Sequence, residues 1–174
     1  MAVLAVFLKA RFGDVTGLDK FLVHGGYNQM DITAKVIRRS FWAAVIGLLA
    51  IQVIPYGHNH TNQPTVKEPA WDSPATRALV KRACFNCHSN ETEWPWYSRI
   101  APASWLVYHD VIKGRSLVNF SDWQGGTGAE FQRVITAGYM PPLQYRLAHP
   151  EARLTPAEKQ QLIKGLTATA AAGR

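Results

Sequence analysis

SPATRALVKRACFNCH, residues 73–88, is the stretch from which the fold is read. Ser73 before Pro74 is a helix start: a hydroxyl at the N-cap, and a proline at the first helical position, where its missing N–H is no loss. Ala75 to Ala83 continues the helix, with Leu79 and Val80 as apolar positions. Lys81 and Arg82 fall in the last turn, where the partial negative charge of a helix end favours cations. The helix runs directly into Cys84-Phe85-Asn86-Cys87-His88. These are the two cysteines of the chain, too few and too close together for a disulfide framework.

Three chemistries use such a spacing. A redox dithiol sits at a helix N-terminus behind a strand; here the helix comes first. A zinc site wants a second ligand pair at short spacing, and none stands out. The third chemistry uses all five residues. Two thiols separated by two residues reach the two vinyl groups of one porphyrin, and a histidine directly after the second thiol lies beneath the iron. The expectation is one covalently attached haem c, with Cys84 and Cys87 as attachment points and His88 as the proximal axial ligand.

Working outward, residues 89–105 form an aromatic-rich loop. Trp94, Trp96, Tyr97 and Trp105 are expected to wall a planar macrocycle, with Arg99 pairing with a propionate. Each of these aromatics is equally open to ordinary packing, and Arg99 to solvation. Ser104 to Lys113 reads as a short helix ended by Gly114. Ala129 to Ala137 places Phe131, Val134 and Ile135 at helical spacing, with Gly138 as the stop. Past it lies Gly138-Tyr139-Met140-Pro141-Pro142. Met140 is the one methionine beyond residue 57, and Pro141 and Pro142 stiffen its loop. It is the expected distal ligand, with His149 and His109 as rivals and Pro141 beside the pocket. Thr155-Pro156-Ala157-Glu158 is a capping box that opens the last helix. No alternating strand is visible past residue 70, so the domain reads as small and all-α.

Upstream, Phe41 to Ile54 is apolar apart from Gln52. Lys35, Arg38 and Arg39 precede it, and no Lys or Arg follows until Lys67. That asymmetry puts the N-terminal side in the cytoplasm. The run is short for a membrane span. No Ala-x-Ala-like site follows it, which favours an uncleaved anchor over a cleaved signal; a buried core helix is the third option. The expected organisation is an N-terminal extension (1–34), a single transmembrane signal anchor (35–56), a linker (57–70) and the haem domain (71–174). Met30-Asp-Ile-Thr-Ala-Lys has the form of a translation start followed by a charged n-region, against the plainer option of a cytoplasmic tail. The histidines of the linker, His58 and His60, read as part of a solvated spacer rather than as ligands.

The net charge is +7 and 47% of residues are hydrophobic, enough for a packed core. The cations form no long run interleaved with aromatics, so nucleic acid is not an expected partner. No nucleophile triad, phosphate loop or carboxylate pair appears, which sets hydrolases aside.

CFNCHSNETEWPWYSRIAPASWLVYHDVIKGRSLVNFSDW (84–123), GYMPPLQYRLAHPEARLTPAE (138–158) and IPYGHNHTNQP (54–64) closely resemble the bacterial haem-binding domain family, a branch of the cytochrome c-like proteins. The likeness covers residues 41–167, and its Trp-Pro-Trp-Tyr-Ser block is not a general cytochrome c feature. The resemblance implies a single-haem, cytochrome c-like helical fold, with the same attachment points and axial ligands, His88 and Met140. A haem saturated by His and Met suits an electron carrier rather than an enzyme. The expected setting is the periplasmic side of the bacterial inner membrane, with redox proteins as partners. The alternatives are a haem-based ligand sensor, a peroxide-reactive haem enzyme with a labile distal ligand, or a haem delivery module.

Overall fold

A computed structural model describes residues 16–172, with side chains from Met30 onward. Residues 1–15 of the expected N-terminal extension therefore lie outside the described residues. The chain divides into two compact units, Met1–Val53 and Ile54–Arg174.

The first unit is described by one helix, α1 (Thr16–Ile51). It passes without a break through the basic cluster and into the apolar run. Asp31 and Lys35 pair across one turn, and Gln52 caps back onto the Leu48 carbonyl at 2.8 Å. Phe41, Trp42, Ile46, Leu49 and Val53 are all exposed. Among the described residues no helix is long and apolar enough to cross a membrane, so the expected transmembrane helix is not supported. The cause is length. At about 1.5 Å per residue, Phe41 to Ile54 reaches about 21 Å, short of the roughly 30 Å of hydrocarbon in a bilayer.

The second unit is helical as expected. Its elements are α2 (Pro74–Ala83), α3 (Phe85–His88), a 3-10 turn at Trp96–Arg99, α4 (Ala103–Leu117), α5 (Gly128–Thr136), α6 (Leu143–Ala148), a 3-10 turn at Pro150–Ala152 and α7 (Pro156–Ala172). The only sheet-like feature among the described residues is one isolated parallel bridge, Lys67 to Asp122. The expected starts are present. Ser73 Oγ accepts from Thr76 N–H at 3.2 Å, and the Thr155–Glu158 box closes in both directions, at 2.8 and 3.2 Å. Gly138 sits at φ +75° just past α5, a conformation that suits glycine.

Two boundaries differ from expectation. Gly114 does not end α4; the helix continues to Leu117, with Gly114 buried inside it. The expected linker packs as part of the second unit. Val66 N–H donates to Ser121 O at 2.8 Å, Trp123 N–H to Lys67 O at 2.9 Å, and Asn90 Nδ2 to Pro64 O at 3.0 Å. His60 is half-buried, held 3.0 Å from Ser98 O and stacked on Trp94.

α7 is the central support and packs against both α2 and α5. A Cβ on Gly165 would stand 2.0 Å from Thr76 Oγ1, so the α2–α7 crossing is closer than any side chain at 165 allows. Between them runs an aromatic ladder. Phe85 stacks on Phe120 at 5.9 Å, Phe120 on Trp123 at 5.8 Å, and Trp123 on Phe131 at 6.4 Å. Leu79, Val80, Ile135, Leu162 and Leu166 close the core around it. Phe85 is the residue after Cys84, so the ladder begins within the cysteine motif.

Candidate cofactor site

Cys84 closes α2 and opens α3. Its N–H bonds to Val80 O at 2.8 Å, and its carbonyl accepts from Cys87 N–H at 3.1 Å and His88 N–H at 2.9 Å. One helical turn thus brings Cys84, Cys87 and His88 to one side. Both thiols are free and half-buried. Burial, reinforced by negative charge on Cys87, pushes the Cys84 thiol up to about 12. Burial pushes Cys87 up to about 11; the nearby Asp110 adds to this and Arg115 opposes it. Both are therefore neutral thiols near pH 7. Redox exchange works through the thiolate, which this environment disfavours. Among the described residues no group of three or more His, Cys, Asp or Glu is placed to hold a metal ion.

His88 is prepared differently. Its Nδ1 stands 3.0 Å from the Val118 carbonyl. A carbonyl only accepts, so Nδ1 carries the proton and the Nε2 lone pair is left for a metal. Burial holds the imidazole below its ordinary pKa, against the backbone bonds with Val118 and Gly114 that favour the charged ring. The ring is thus neutral, the form that ligates. Phe120 N–H donates to His88 O at 2.7 Å, which ties the ladder to the ligand. Gly114 lets α4 reach this turn: a Cβ there would lie 2.3 Å from the Cys87 carbonyl oxygen.

Asn86, between the cysteines, is a junction that the sequence reading passed over. Its Nδ2 donates to Tyr145 Oη at 2.9 Å, its Oδ1 accepts from Glu93 N–H at 3.0 Å, and its carbonyl accepts from Thr92 Oγ1 at 2.9 Å. Arg115 is a second. Its guanidinium donates to Ser89 O at 2.8 Å, Thr92 Oγ1 at 2.9 Å and Asn62 Oδ1 at 2.8 Å, joining the motif to the segment before it. Arg115 is visible in the sequence as a cation six residues past His109, but not that it folds back on the motif.

Met140 is half-buried in the turn between α5 and α6. The N–H groups of Tyr139 and Met140 both donate to Val134 O, at 3.0 and 3.2 Å. Pro141 is buried. Of the rival ligands, His109 is exposed. His149 has both ring nitrogens engaged, Nε2 with Tyr97 Oη and Nδ1 with Glu151, each at 2.9 Å.

The expected wall is brought in only partly. Trp94, Tyr97 and Trp105 are half-buried, whereas Trp96 is 75% exposed and Arg99 is exposed. Neither Trp96 nor Arg99 makes a hydrogen bond, ion pair or ring contact with the motif. Trp105 Nε1, Arg146 Nε, Trp123 Nε1 and Ser104 Oγ are buried without a partner among the described residues. A groove of about 520 Å³ runs along Asn59, Trp94, Tyr108, Ile112 and Arg115. It does not include Cys84, Cys87, His88 or Met140, so the motif's chemistry, rather than the groove, marks the site.

The donor set fits a haem. A neutral imidazole is tautomerically fixed beside two free thiols on one helical turn, and the buried indole and guanidinium donors suit an acceptor-only carboxylate. Fold and site together define an all-helical haem-binding protein. Residues 46–168 match the family model of the haem-binding domain, and the chain belongs to that family. No curated protein and no solved structure matches the chain significantly.

Proposed function

We propose that the protein holds one haem covalently on Cys84 and Cys87, ligated by His88 and Met140, and acts as a one-electron carrier rather than an enzyme. The observation that carries this is the His88 Nδ1–Val118 bond at 3.0 Å beside two free thiols. Bound there, haem supplies an iron centre that exchanges single electrons. The chain's residues set the conditions for that exchange. The Val118 carbonyl makes the His88 imidazole a stronger donor. The Met140 thioether, soft and neutral, favours the reduced iron and raises the potential. Trp94, Tyr97 and Trp105 exclude water, Trp96 and Arg99 form the outer rim, and Trp105 Nε1 and Arg146 Nε are donors for the propionates.

The domain works on the outer, periplasmic face of the bacterial cytoplasmic membrane, tethered by residues 35–56, with redox proteins as its partners. Support comes from the one-sided charge of Lys35, Arg38 and Arg39 and from the exposed Phe41, Trp42, Ile46 and Leu49. The deciding experiment is acid-acetone extraction of exported protein, followed by the reduced pyridine haemochrome spectrum. Haem that stays with the polypeptide supports the proposal; haem that moves into the acetone sinks it. In Met140→Ala the sulfur-to-iron charge-transfer band is expected to vanish, and an unchanged spectrum removes Met140 from the iron.

A further inference from the structure

α6 is a short helix with little reason to stay where it is. It has six residues, none of them buried, and Leu143 and Leu147 are 61% and 67% exposed. A helix of this length is unstable alone, and it meets the core through Tyr145, which packs against it. The rest of its anchoring is polar, the Arg153 Nε bond to Arg146 O at 2.8 Å included. Tyr145 Oη accepts from Asn86 Nδ2 at 2.9 Å, a bond to the turn between Cys84 and Cys87. One turn further on, His149 accepts from Tyr97 Oη at 2.9 Å. The rings of Tyr145 and His149 stack at 4.3 Å, so the two bonds brace each other.

Met140 lies between this helix and α5. Upstream, its backbone is fixed to Val134 O at 3.2 Å. Downstream, Pro141 and Pro142 transmit the position of α6 with little slack. If α6 lifts, Met140 moves with it.

We propose that Tyr145 and Tyr97 are positioning residues: through Asn86, Tyr145 latches α6 onto the haem attachment turn, through His149, Tyr97 latches its end onto the 3-10 turn at Trp96–Arg99, and together they keep Met140 on the iron. This rests on the function proposed above. It makes the lability of the distal ligand a property of the attachment turn, because the residue gripping α6 lies between the cysteines.

The test uses the full haem-loaded chain and the variants Tyr145→Phe, Tyr97→Phe and Asn86→Ala. Phenylalanine keeps the stacking and removes one hydroxyl, so folding is retained. Each Phe variant is expected to keep its covalent haem, to weaken the sulfur-to-iron band, and to bind carbon monoxide in the reduced state about fivefold faster, the effect of one neutral hydrogen bond. Hydrogen exchange over residues 143–149 is expected to rise by the same factor. Asn86→Ala combined with Tyr145→Phe is expected to equal Asn86→Ala alone, because the Tyr145 hydroxyl has lost its partner once Nδ2 is gone; a further effect of Tyr145→Phe in the Asn86→Ala background overturns the latch. Wild-type rates and exchange in both Phe variants also overturn it. Haem lost from the wild type on extraction overturns the underlying function instead, and exchange over 143–149 then still decides the latch.

Discussion

His88 and Gly114 are the residues on which most depends. The imidazole is ready for a metal because the Val118 carbonyl accepts a hydrogen bond from its Nδ1–H, and Val118 is in position because α4 lies against the cysteine turn without a side chain between them. Gly114→Ala puts a methyl group where the Cys87 carbonyl already stands. The expected cost is about 1–3 kcal/mol, the range for overpacking in a close-packed interior, together with loss of the Val118 contact. Thermal unfolding measures the first and the haem-to-protein ratio of exported protein the second; an alanine variant with normal stability and full loading refutes the close contact. The role of Gly114 was hidden in the sequence because a glycine after a helical run has two uses. It can stop a helix by adopting positive φ, or it can let another backbone approach. Only the neighbour distinguishes them. Cys84, Cys87 and His88 stand out in the sequence because the chemistry expected of them needs fixed spacing. Asn86 and Arg115 were not, because what they do depends on partners up to 59 residues away.

At the scale of the element, the capped helix starts were readable, and one helix end, at Gly114, was not. Ser73-Pro74 and Thr155-Pro156-Ala157-Glu158 are local devices that satisfy N–H groups within four residues, so sequence contains all of their geometry. The box also predicts a pH response. Backbone and side-chain bonds at Thr155, with Arg82 at 2.6 Å, pull the Glu158 carboxyl down from its ordinary 4.5 to about 2. A lowered folded pKa gives stability that is present above the unfolded value and is lost as pH falls from about 4.5 toward 2. Glu158→Gln is expected to flatten that part of the stability–pH curve and leave the rest of its shape unchanged. Equal slopes in wild type and variant, followed by circular dichroism in acid, refute it. Thr155→Ala, which removes the hydroxyl cap, is expected to cost about 1 kcal/mol in denaturant unfolding.

At the scale of the whole molecule, the segment before the domain is the main departure from expectation. Gly, Asn, Thr and Pro are loop formers, and their composition cannot distinguish a free spacer from a strap. Here Asn62 and Thr61 meet Arg115, Pro64 meets Asn90, and Lys67 pairs with Asp122. A chain begun at Ile54 is therefore expected to fold and, when exported, to load haem like the longer one. A chain begun at Trp71 strips Arg115 of two partners and is expected to unfold several degrees lower, since roughly 1 kcal/mol moves the midpoint of a domain this size by 4–8 °C. Matching midpoints for the two truncations refute the strap. The transmembrane expectation finds no support at this scale for a related reason. Charge asymmetry gives direction, but spanning needs length, and no helix among the described residues is long and apolar enough.

The aromatic ladder also gives the protein an optical property. Trp123 lies two stacked rings from Phe85, and Phe120 between them stands 6.5 Å from the His88 imidazole. If haem sits on His88 as proposed, an indole so near it loses its excitation to the porphyrin before it can emit. Trp123 then contributes no light, and as the core opens and the ladder separates its emission returns. Tryptophan fluorescence thus reports both whether the cofactor was acquired and whether the core around it is still closed.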